Sequence, residues 1–176
     1  MVELTTVKYG QDITTIGVIS DTHIPSRGRF IPPEVFRLFK DVQLILHAGD
    51  LVDEQVIEEL KILAPVEAVA GNMDPASLQN KLGQVKVIKT GLLSIGLLHG
   101  DFMGRQVDPE QLSSVFNPVK LQAVVFGHLH KPVYKMHKGT LYFNPGSVID
   151  PRRSGRPTCG KLFIDGDSIA GEVISL

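Results

Sequence analysis

The stretch VVFGHLHKP at residues 124–132 joins an apolar run to a pair of histidines. Gly127 ends the run, and His128 and His130 follow two positions apart. Alternate positions of an extended segment face the same side, so the two imidazoles can meet one ligand. Taken alone, this pair fits a metal site and a structural role equally well. The segments around it decide between the two.

Four further Val- and Ile-rich runs end in polar residues of the same kind. The runs ITTIGVIS (13–20), VQLILH (42–47), VEAVA (66–70) and LLSIGLL (92–98) are followed by Asp21-Thr22-His23, Ala48-Gly49-Asp50, Gly71-Asn72 and His99. Each fragment alone also fits an ordinary turn or a hydrogen-bonded core histidine. Ligands of open α/β sheets bind outside the carboxyl ends of the strands. The joint pattern therefore predicts one shared site.

Helical patterns separate the early strands. PPEVFRLFK (32–40) opens with prolines suited to a first turn, DEQVIEELKIL (53–63) has Asp53 at the N-cap position, and DPEQLSSVF (108–116) is a third candidate. Strand and helix alternate in the first half, which favours parallel pairing, whereas the tail runs strand after strand and favours antiparallel additions. These features predict one α/β domain over residues 1–176.

Net charge, cysteine count and the length of the apolar runs limit the kinds of function that the chain can have. Eighteen basic and nineteen acidic residues give a net charge of -1, so no overall positive field attracts nucleic acid or an anionic membrane. The single cysteine, Cys159, cannot form an intramolecular disulfide and reads as a small core residue. No segment resembles a signal peptide or approaches about 18 apolar residues. We expect a cytoplasmic protein without membrane association.

The candidate ligands favour particular metals. Imidazoles mixed with carboxylates favour manganese, iron, nickel or zinc over magnesium or calcium. The candidates are too many for one ion, but they suit two ions that share a carboxylate. They are Asp21, His23, Asp50, Asn72, His99, His128 and His130.

The ordered motifs SDTH, HAGD, GNMD, LLHG and GHLH resemble those of the calcineurin-like metallophosphoesterase superfamily. NPGS at 144–147 and the Pro-Arg pair at 151–152 are similar to its small prokaryotic phosphodiesterase branch. The resemblance spans residues 21–152. It implies a sandwich of two mixed β-sheets flanked by helices, a four-layer αββα fold, with a two-metal centre at one edge.

The resemblance also implies a role for each candidate ligand. Asp21, His23 and His130 would hold the first metal. Asn72, His99 and His128 would hold the second, and Asp50 would bridge the two ions. Manganese is the first choice, with nickel, iron or zinc as alternatives. Asp50, Asn72 and His99 would act through a hydroxide that bridges the metals and attacks phosphorus in line with the leaving group. The substrate would be a small phosphoester, and we expect a diester.

Two positions depart from the superfamily pattern. Many members have a histidine that assists the leaving group after the Gly-Asn pair, whereas this chain has Met73, which cannot donate a proton. Asp101 stands where relatives often have another histidine. Asp74 is expected to orient a ligand histidine or to cap the helix that follows it.

The remaining polar residues carry weaker signals. His47 is expected in the core or behind the ligands, His137 in a turn, and Asn144 behind the metal edge. No substrate-binding residue is assigned, although four arginines could contact phosphate: Arg27, Arg29, Arg152 and Arg153.

Two other functions stay open. The fold also resembles a retromer coat subunit that works as a protein-binding scaffold, in which the metal edge is degraded; His23 and the complete ligand set favour an enzyme here. A nuclease would show a basic stripe, which this near-neutral chain lacks. A homo-oligomer is compatible with the sequence.

Overall fold

The computed structural model describes residues 3–104 and 106–176, apart from the side chain of Ser154. Its strands are β1 (Leu4–Tyr9), β2 (Thr15–Ile19), β3 (Leu44–His47), β4 (Val66–Ala68), β5 (Val85–Thr90), β6 (Leu93–Leu98), β7 (Ala123–Val125), β8 (Val133–His137), β9 (Thr140–Asn144), β10 (Thr158–Asp165) and β11 (Ser168–Ser175). Its α-helices are α1 (Pro33–Leu38), α2 (Gln55–Leu60), α3 (Ala76–Leu82) and α4 (Pro109–Ser114). Short 3-10 turns cover Asp101–Met103 and Arg152–Ser154.

The strands form two mixed sheets. The six-stranded sheet has the order β1-β5-β6-β7-β9-β8, and the five-stranded sheet has the order β11-β10-β2-β3-β4. Strands β2, β3 and β4 are parallel, as the alternation of strand and helix predicts. Strand β10 is antiparallel to both β2 and β11, as expected for the tail. The expectation is wrong for β9, which pairs in parallel with β7 on one side and antiparallel with β8 on the other.

Three apolar clusters establish the layer order. One lies between the sheets and joins Val18 and Leu46 to Leu97 and Val125. A second packs α1, α2 and α3 against the outer face of the five-stranded sheet, and a third packs α4 against the outer face of the six-stranded sheet. The four-layer αββα sandwich is confirmed.

Two edge strands were not predicted from the sequence. Strand β1 pairs in parallel with β5, and β8 pairs with β9 through the turn at Lys138 and Gly139. Both have mostly exposed or half-buried side chains, so their apolar signal is weak. His137 is the last residue of β8, immediately before that turn. Cys159 is buried in the core, as expected.

The helices are shorter than the apolar patterns that predicted them, at six or seven residues each. The Asp108 side chain accepts hydrogen bonds from the backbone N–H groups of Glu110 and Gln111 at the start of α4. Asp53 accepts one from Gln55 N at 2.8 Å. Within the described residues, no helix is long and apolar enough to cross a membrane.

Phe143 sets the distance between the two sheets near β9. Its ring is fully buried and packs against Gly160 on β10 and Gly171 on β11. A Cβ added to Gly160 would lie 2.4 Å from the ring, and one added to Gly171 would lie 2.9 Å from it. Both glycines are therefore required by the packing rather than by a turn.

We expect Gly160→Ala to lower the free energy of unfolding by about 1–3 kcal/mol, because the Phe143 ring must move within a close-packed core. Urea denaturation measures the change. Ala170→Ser, at an exposed position of the adjacent strand, is the matched control and should stay within about 0.5 kcal/mol of the original chain. A Gly160→Ala variant as stable as the control would contradict this packing.

Candidate metal centre

Five loops converge at one edge of the sandwich, each directly after a strand. They follow β2, β3, β4, β6 and β7, and they hold all the predicted ligands. The first two loops are joined by backbone hydrogen bonds from Asp21 N to Gly49 O at 3.0 Å and from His23 N to Asp50 O at 3.0 Å. Gly127 N donates to His99 O at 3.0 Å, which joins the loops after β6 and β7. His128 N donates to Asp21 Oδ2 at 3.1 Å, which joins a loop of the six-stranded sheet to a loop of the five-stranded sheet, so the two sheets meet at this edge.

Asp21, His23 and His130 form the first buried group. The Nε2 atoms of the two histidines lie 3.2 Å apart, and Asp21 Oδ1 lies 3.3 Å from Nε2 of His130. The three side chains offer ligand atoms that all lie within 4.8 Å of one another. This group could hold one metal ion.

The second group surrounds His99. Its Nε2 lies 3.2 Å from Asn72 Oδ1 and 3.3 Å from Asp50 Oδ2. The ring of His128 packs edge-on against the His99 ring, with centroids 5.3 Å apart. The same Asp50 oxygen lies 3.6 Å from Nε2 of His23 in the first group. Asp50 therefore stands between the two groups.

One carboxylate oxygen in this centre has no hydrogen bond to any residue that the structure describes. Asp21 is fully buried, and its Oδ2 accepts hydrogen bonds from Ser20 Oγ at 2.6 Å and from His128 N at 3.1 Å. Its Oδ1 is buried, lies 3.3 Å from Nε2 of His130, and accepts no hydrogen bond within the described part of the chain. A buried oxygen without a partner is costly unless it binds a cation. The residues present thus fit a metal ion.

The backbone at these ligands is strained. Five of them have positive φ angles: Asp21 at 52°, His23 at 46°, Asp50 at 57°, His128 at 67° and His130 at 54°. Non-glycine residues rarely adopt this left-handed conformation, and each instance costs on the order of 1–3 kcal/mol. Such strain concentrates at functional sites.

Carbonyl groups fix the orientation of two imidazoles. His99 Nδ1 lies 2.8 Å from Ala48 O, and His130 Nδ1 lies 2.5 Å from Asp150 O. A carbonyl oxygen only accepts, so each Nδ1 carries a proton and donates it. The Nε2 atom of each ring is then directed into the centre, which is the arrangement that metal-binding histidines use.

Asp74 organises the backbone around Asp50. Contrary to expectation, its side chain does not cap α3. Its Oδ2 accepts hydrogen bonds from Gly71 N at 2.7 Å and Asp50 N at 3.1 Å, and its Oδ1 accepts one from Val52 N at 2.6 Å. Asp74 thereby holds the loops after β3 and β4 together.

The NPGS segment supports the centre from behind. Asn144 Nδ2 donates to Gly127 O at 2.6 Å, which agrees with the position expected for this residue. Ser147 Oγ donates to Asp21 O at 2.7 Å, a contact that the sequence analysis missed. A serine in a predicted turn carries no signal for so distant a partner.

The close packing of the loops leaves no room for side chains at two glycines. A Cβ on Gly127 would lie 2.0 Å from Ser20 Oγ, and one on Gly71 would lie 2.2 Å from Asp50 Oδ1. Glycine at these positions lets a backbone approach the ligands directly. The glycines of the GN and GH motifs are therefore required by the packing around them as well as by the turns.

Burial and charge shift the pKa values of the centre. Burial raises the pKa of Asp21 to about 6, although nearby histidines oppose the shift. Burial disfavours protonation of His99, but the carboxylates of Asp50 and Asp21 outweigh it and raise its pKa to about 9. Without a metal, the centre therefore holds a proton on His99 at neutral pH. A cation can take the place of that proton.

His47 lies behind the ligands, as expected. It is fully buried, Gly49 N donates to its Nδ1 at 3.2 Å, and its Nε2 lies 3.1 Å from Thr22 Oγ1. Burial lowers its pKa to about 3, so the ring is neutral. It supports the loops after β2 and β3.

The charge of Arg152, one of the four arginines, acts on three of the candidate ligands. Burial lowers the pKa values of His23, His128 and His130, and the positive charge of Arg152 acts in the same direction on all three. Arg27 lies 3.8 Å from Asp150 in an exposed ion pair. The charge of Arg152 therefore contributes to the electrostatics of the centre.

Met73 and Asp101, the two departures from the superfamily pattern, both lie near the solvent-exposed side of the centre. Met73 is 58% exposed, and its backbone N–H donates to Asp50 Oδ1 at 2.8 Å. Asp101 is exposed and lines a cleft of about 620 Å³. That cleft also touches Asn72 and His99, so it opens beside the second ligand group.

Known proteins are similar to this chain in sequence and in fold. The model of the calcineurin-like phosphoesterase superfamily domain matches residues 15–167. A probable metallophosphoesterase of Methanothermobacter thermautotrophicus is 39% identical over 163 residues, which cover 90% of this chain and 91% of that protein. A probable metallophosphoesterase of Methanocaldococcus jannaschii is 37% identical over 137 residues, which cover 78% of this chain and 69% of that protein.

Solved structures of Vps29 have the same fold. Vps29 of Chaetomium thermophilum is similar with a TM-score of 0.77 and 22% identity, over 92% of this chain and 97% of that one. Wild-type Vps29 of Entamoeba histolytica, solved in complex with zinc, is similar with a TM-score of 0.75 and 26% identity, over 92% of this chain and 98% of that one. Family model, relatives and fold agree, and the chain belongs to the calcineurin-like phosphoesterase superfamily.

Proposed function

We propose that the protein is a phosphodiesterase that uses two divalent metal ions. The observation that supports this most is the position of Asp50, whose Oδ2 lies 3.6 Å from His23 Nε2 and 3.3 Å from His99 Nε2. One carboxylate between two groups of nitrogen and oxygen ligands is the arrangement that a shared bridging ligand requires. The unpartnered oxygen of Asp21 supports a cation in the first group.

We assign the ligands in two sets. Asp21, His23 and His130 would hold one ion. Asn72, His99 and His128 would hold the other, with Asp50 common to both. The mixture of imidazole and carboxylate suits manganese first, and nickel, iron or zinc as alternatives. When bound, two such ions supply Lewis acidity toward the phosphoryl oxygens and an acidified water as nucleophile.

The residues of this chain would position the reacting groups. The carbonyls of Ala48 and Asp150 hold His99 and His130 in one ring orientation. The N–H of Met73 fixes Oδ1 of Asp50 and leaves Oδ2 directed at the two histidine groups. Asn72 is a neutral ligand, which keeps the centre less anionic and less repulsive to a phosphodiester than a third carboxylate would.

We also propose a cytoplasmic setting with a small-molecule substrate. The single Cys159 is buried, and burial raises the pKa of its thiol to about 12, so it is protonated and unreactive in the folded chain. A protein with one free thiol suits a reducing compartment.

A protein-binding scaffold is the second candidate. The likeness to Vps29 structures supports it at the level of the fold. The complete set of buried candidate ligands with strained backbone favours catalysis. Metal binding alone does not separate the two functions, because Vps29 of Entamoeba histolytica was solved in complex with zinc. Metal-dependent turnover separates the two functions.

We expect metal-stripped protein to hydrolyse bis-p-nitrophenyl phosphate after addition of manganese. Asp50→Asn and His128→Ala should each lower kcat/KM by at least about 100-fold, since loss of groups that merely orient metal ligands already costs 10–100-fold. Release of p-nitrophenol is the measurement. His137→Ala is the matched control, because His137 pairs with Glu110 at the surface, 3.0 Å away. Turnover retained in both ligand variants would contradict the proposed centre.

We expect two metal ions per chain. Titration calorimetry with manganese, checked by elemental analysis after gel filtration, should give two sites in the original chain and in His137→Ala. The variant His130→Ala removes a ligand from the first set only and should retain one tight site. A stoichiometry of one ion in the original chain would refute the dinuclear centre.

We expect a strong dependence of rate on the leaving group, because Met73 cannot protonate the departing oxygen. A series of ethyl aryl and ethyl alkyl phosphodiesters should show kcat falling steeply as the pKa of the leaving alcohol rises. Met73→His should make this dependence shallower, and its exposed position tolerates the change. Equal rates for aryl and alkyl esters of matched shape would show that another group acts as the acid.

A further inference from the structure

The cleft beside His99 has walls of distinct chemistry. It lies between α3, the beginning of β5, the end of β6 and α4. Its volume of about 620 Å³ is in the range of small-molecule sites, which span roughly 300–1,000 Å³. Asn72 and His99 form part of its wall. A phosphoryl group held at the metal centre would therefore extend one of its substituents into this cleft.

Three glutamines supply neutral hydrogen-bonding groups to the cleft. Gln79 Nε2 donates to Asp74 O at 2.7 Å, which holds the Gln79 side chain in one direction. The side-chain amides of Gln84 and Gln111 make no hydrogen bond to any residue that the structure describes. Each free amide offers donors and an acceptor together. Paired donors and acceptors are the groups that read the edge of a nucleobase.

Apolar and acidic groups complete the cleft. Phe102 is 47% exposed and lines it together with Val85 and Leu98. An exposed aromatic ring stabilises a base by stacking. Asp101, also exposed, is an acceptor for sugar hydroxyl groups and repels a second phosphate. The described wall contains no lysine or arginine that would attract one.

We propose that this cleft binds the nucleoside part of a nucleoside phosphodiester. The inference rests on the proposed function, because it places the reacting phosphorus at the metal centre. Phe102 stacks on the base, the amides of Gln84 and Gln111 contact its edge, and Asp101 accepts hydrogen bonds from the sugar. The substrate is then a diester with one nucleoside substituent.

Two substrates with one leaving group test the inference. Thymidine 5′-(p-nitrophenyl phosphate) and methyl p-nitrophenyl phosphate both release p-nitrophenol, so they differ only in the group that would occupy the cleft. With manganese-loaded protein, we expect kcat/KM to be at least about tenfold higher for the thymidine ester, since one stacked base is sufficient for that factor. p-Nitrophenyl phosphorylcholine tests a cationic substituent, which Asp101 and Phe102 could also attract.

Variants of residues in the cleft test whether the preference for the thymidine ester over the methyl ester arises there. Phe102→Ala and Gln111→Ala should each lower kcat/KM for the thymidine ester several-fold more than for the methyl ester. Phe163→Ala and Gln11→Ala are matched controls, since both residues are exposed and neither lines the cleft. The controls should leave the ratio of the two substrates unchanged.

Binding gives a readout that does not need turnover. Calorimetry on manganese-loaded protein should give a Kd at least about tenfold lower for thymidine 5′-phosphate than for methyl phosphate, and Phe102→Ala should reduce that difference. Equal affinities, equal kcat/KM values, or a preference for the choline ester would overturn the inference. No hydrolysis of any ester together with a retained nucleotide preference would refute the proposed function and leave the cleft assignment standing.

Discussion

The structure depends on one constraint at the edge of the sandwich. Five loops from two sheets must come together there, and several of their residues adopt the left-handed backbone conformation to do so. Asp21, His23 and Asp50 adopt positive φ angles in loops joined by backbone hydrogen bonds. Asp74 accepts three further backbone N–H groups and so prevents these loops from relaxing. Because the strained conformation is fixed from several directions, the ligand side chains are directed inward before any ligand arrives. The sheets below provide rigid strand ends from which the loops start.

Much of this centre could be predicted from the order of residues along the chain. The strand ends at Asp21, Asp50, Asn72, His99 and His128 converge because parallel strands terminate at the same edge, and that rule needs no tertiary information. The four layers likewise follow from apolar runs that alternate with amphipathic helices.

Other features depend on contacts that a local pattern cannot show. Strands β1 and β8 lie at sheet edges, where exposed side chains weaken the apolar signal. Ser147 reaches the carbonyl of Asp21 across 126 positions of the chain, and Asp74 accepts from Asp50 N and Val52 N, which lie more than 20 positions away in the loop after β3. Long-range hydrogen bonds of this kind leave no periodic pattern in the sequence. The sequence therefore predicts which side chains meet at the centre, but it does not predict the hydrogen bonds that hold them there.

The interior of the centre bears on the choice between enzyme and scaffold. Asp21, Asp50, His99 and His130 are all at most 2% exposed, and Oδ1 of Asp21 has no hydrogen bond to any residue that the structure describes. Burying these groups opposes folding through desolvation, and without a metal the proton on His99 offsets part of that cost through its attraction to Asp50 and Asp21. A scaffold that needed only the outer surface would be more stable with apolar residues at these positions. A bound metal would offset both the backbone strain and the cost of burying these polar groups, and this explains why the two features occur together. The adjoining cleft would hold the substrate on which such a metal acts.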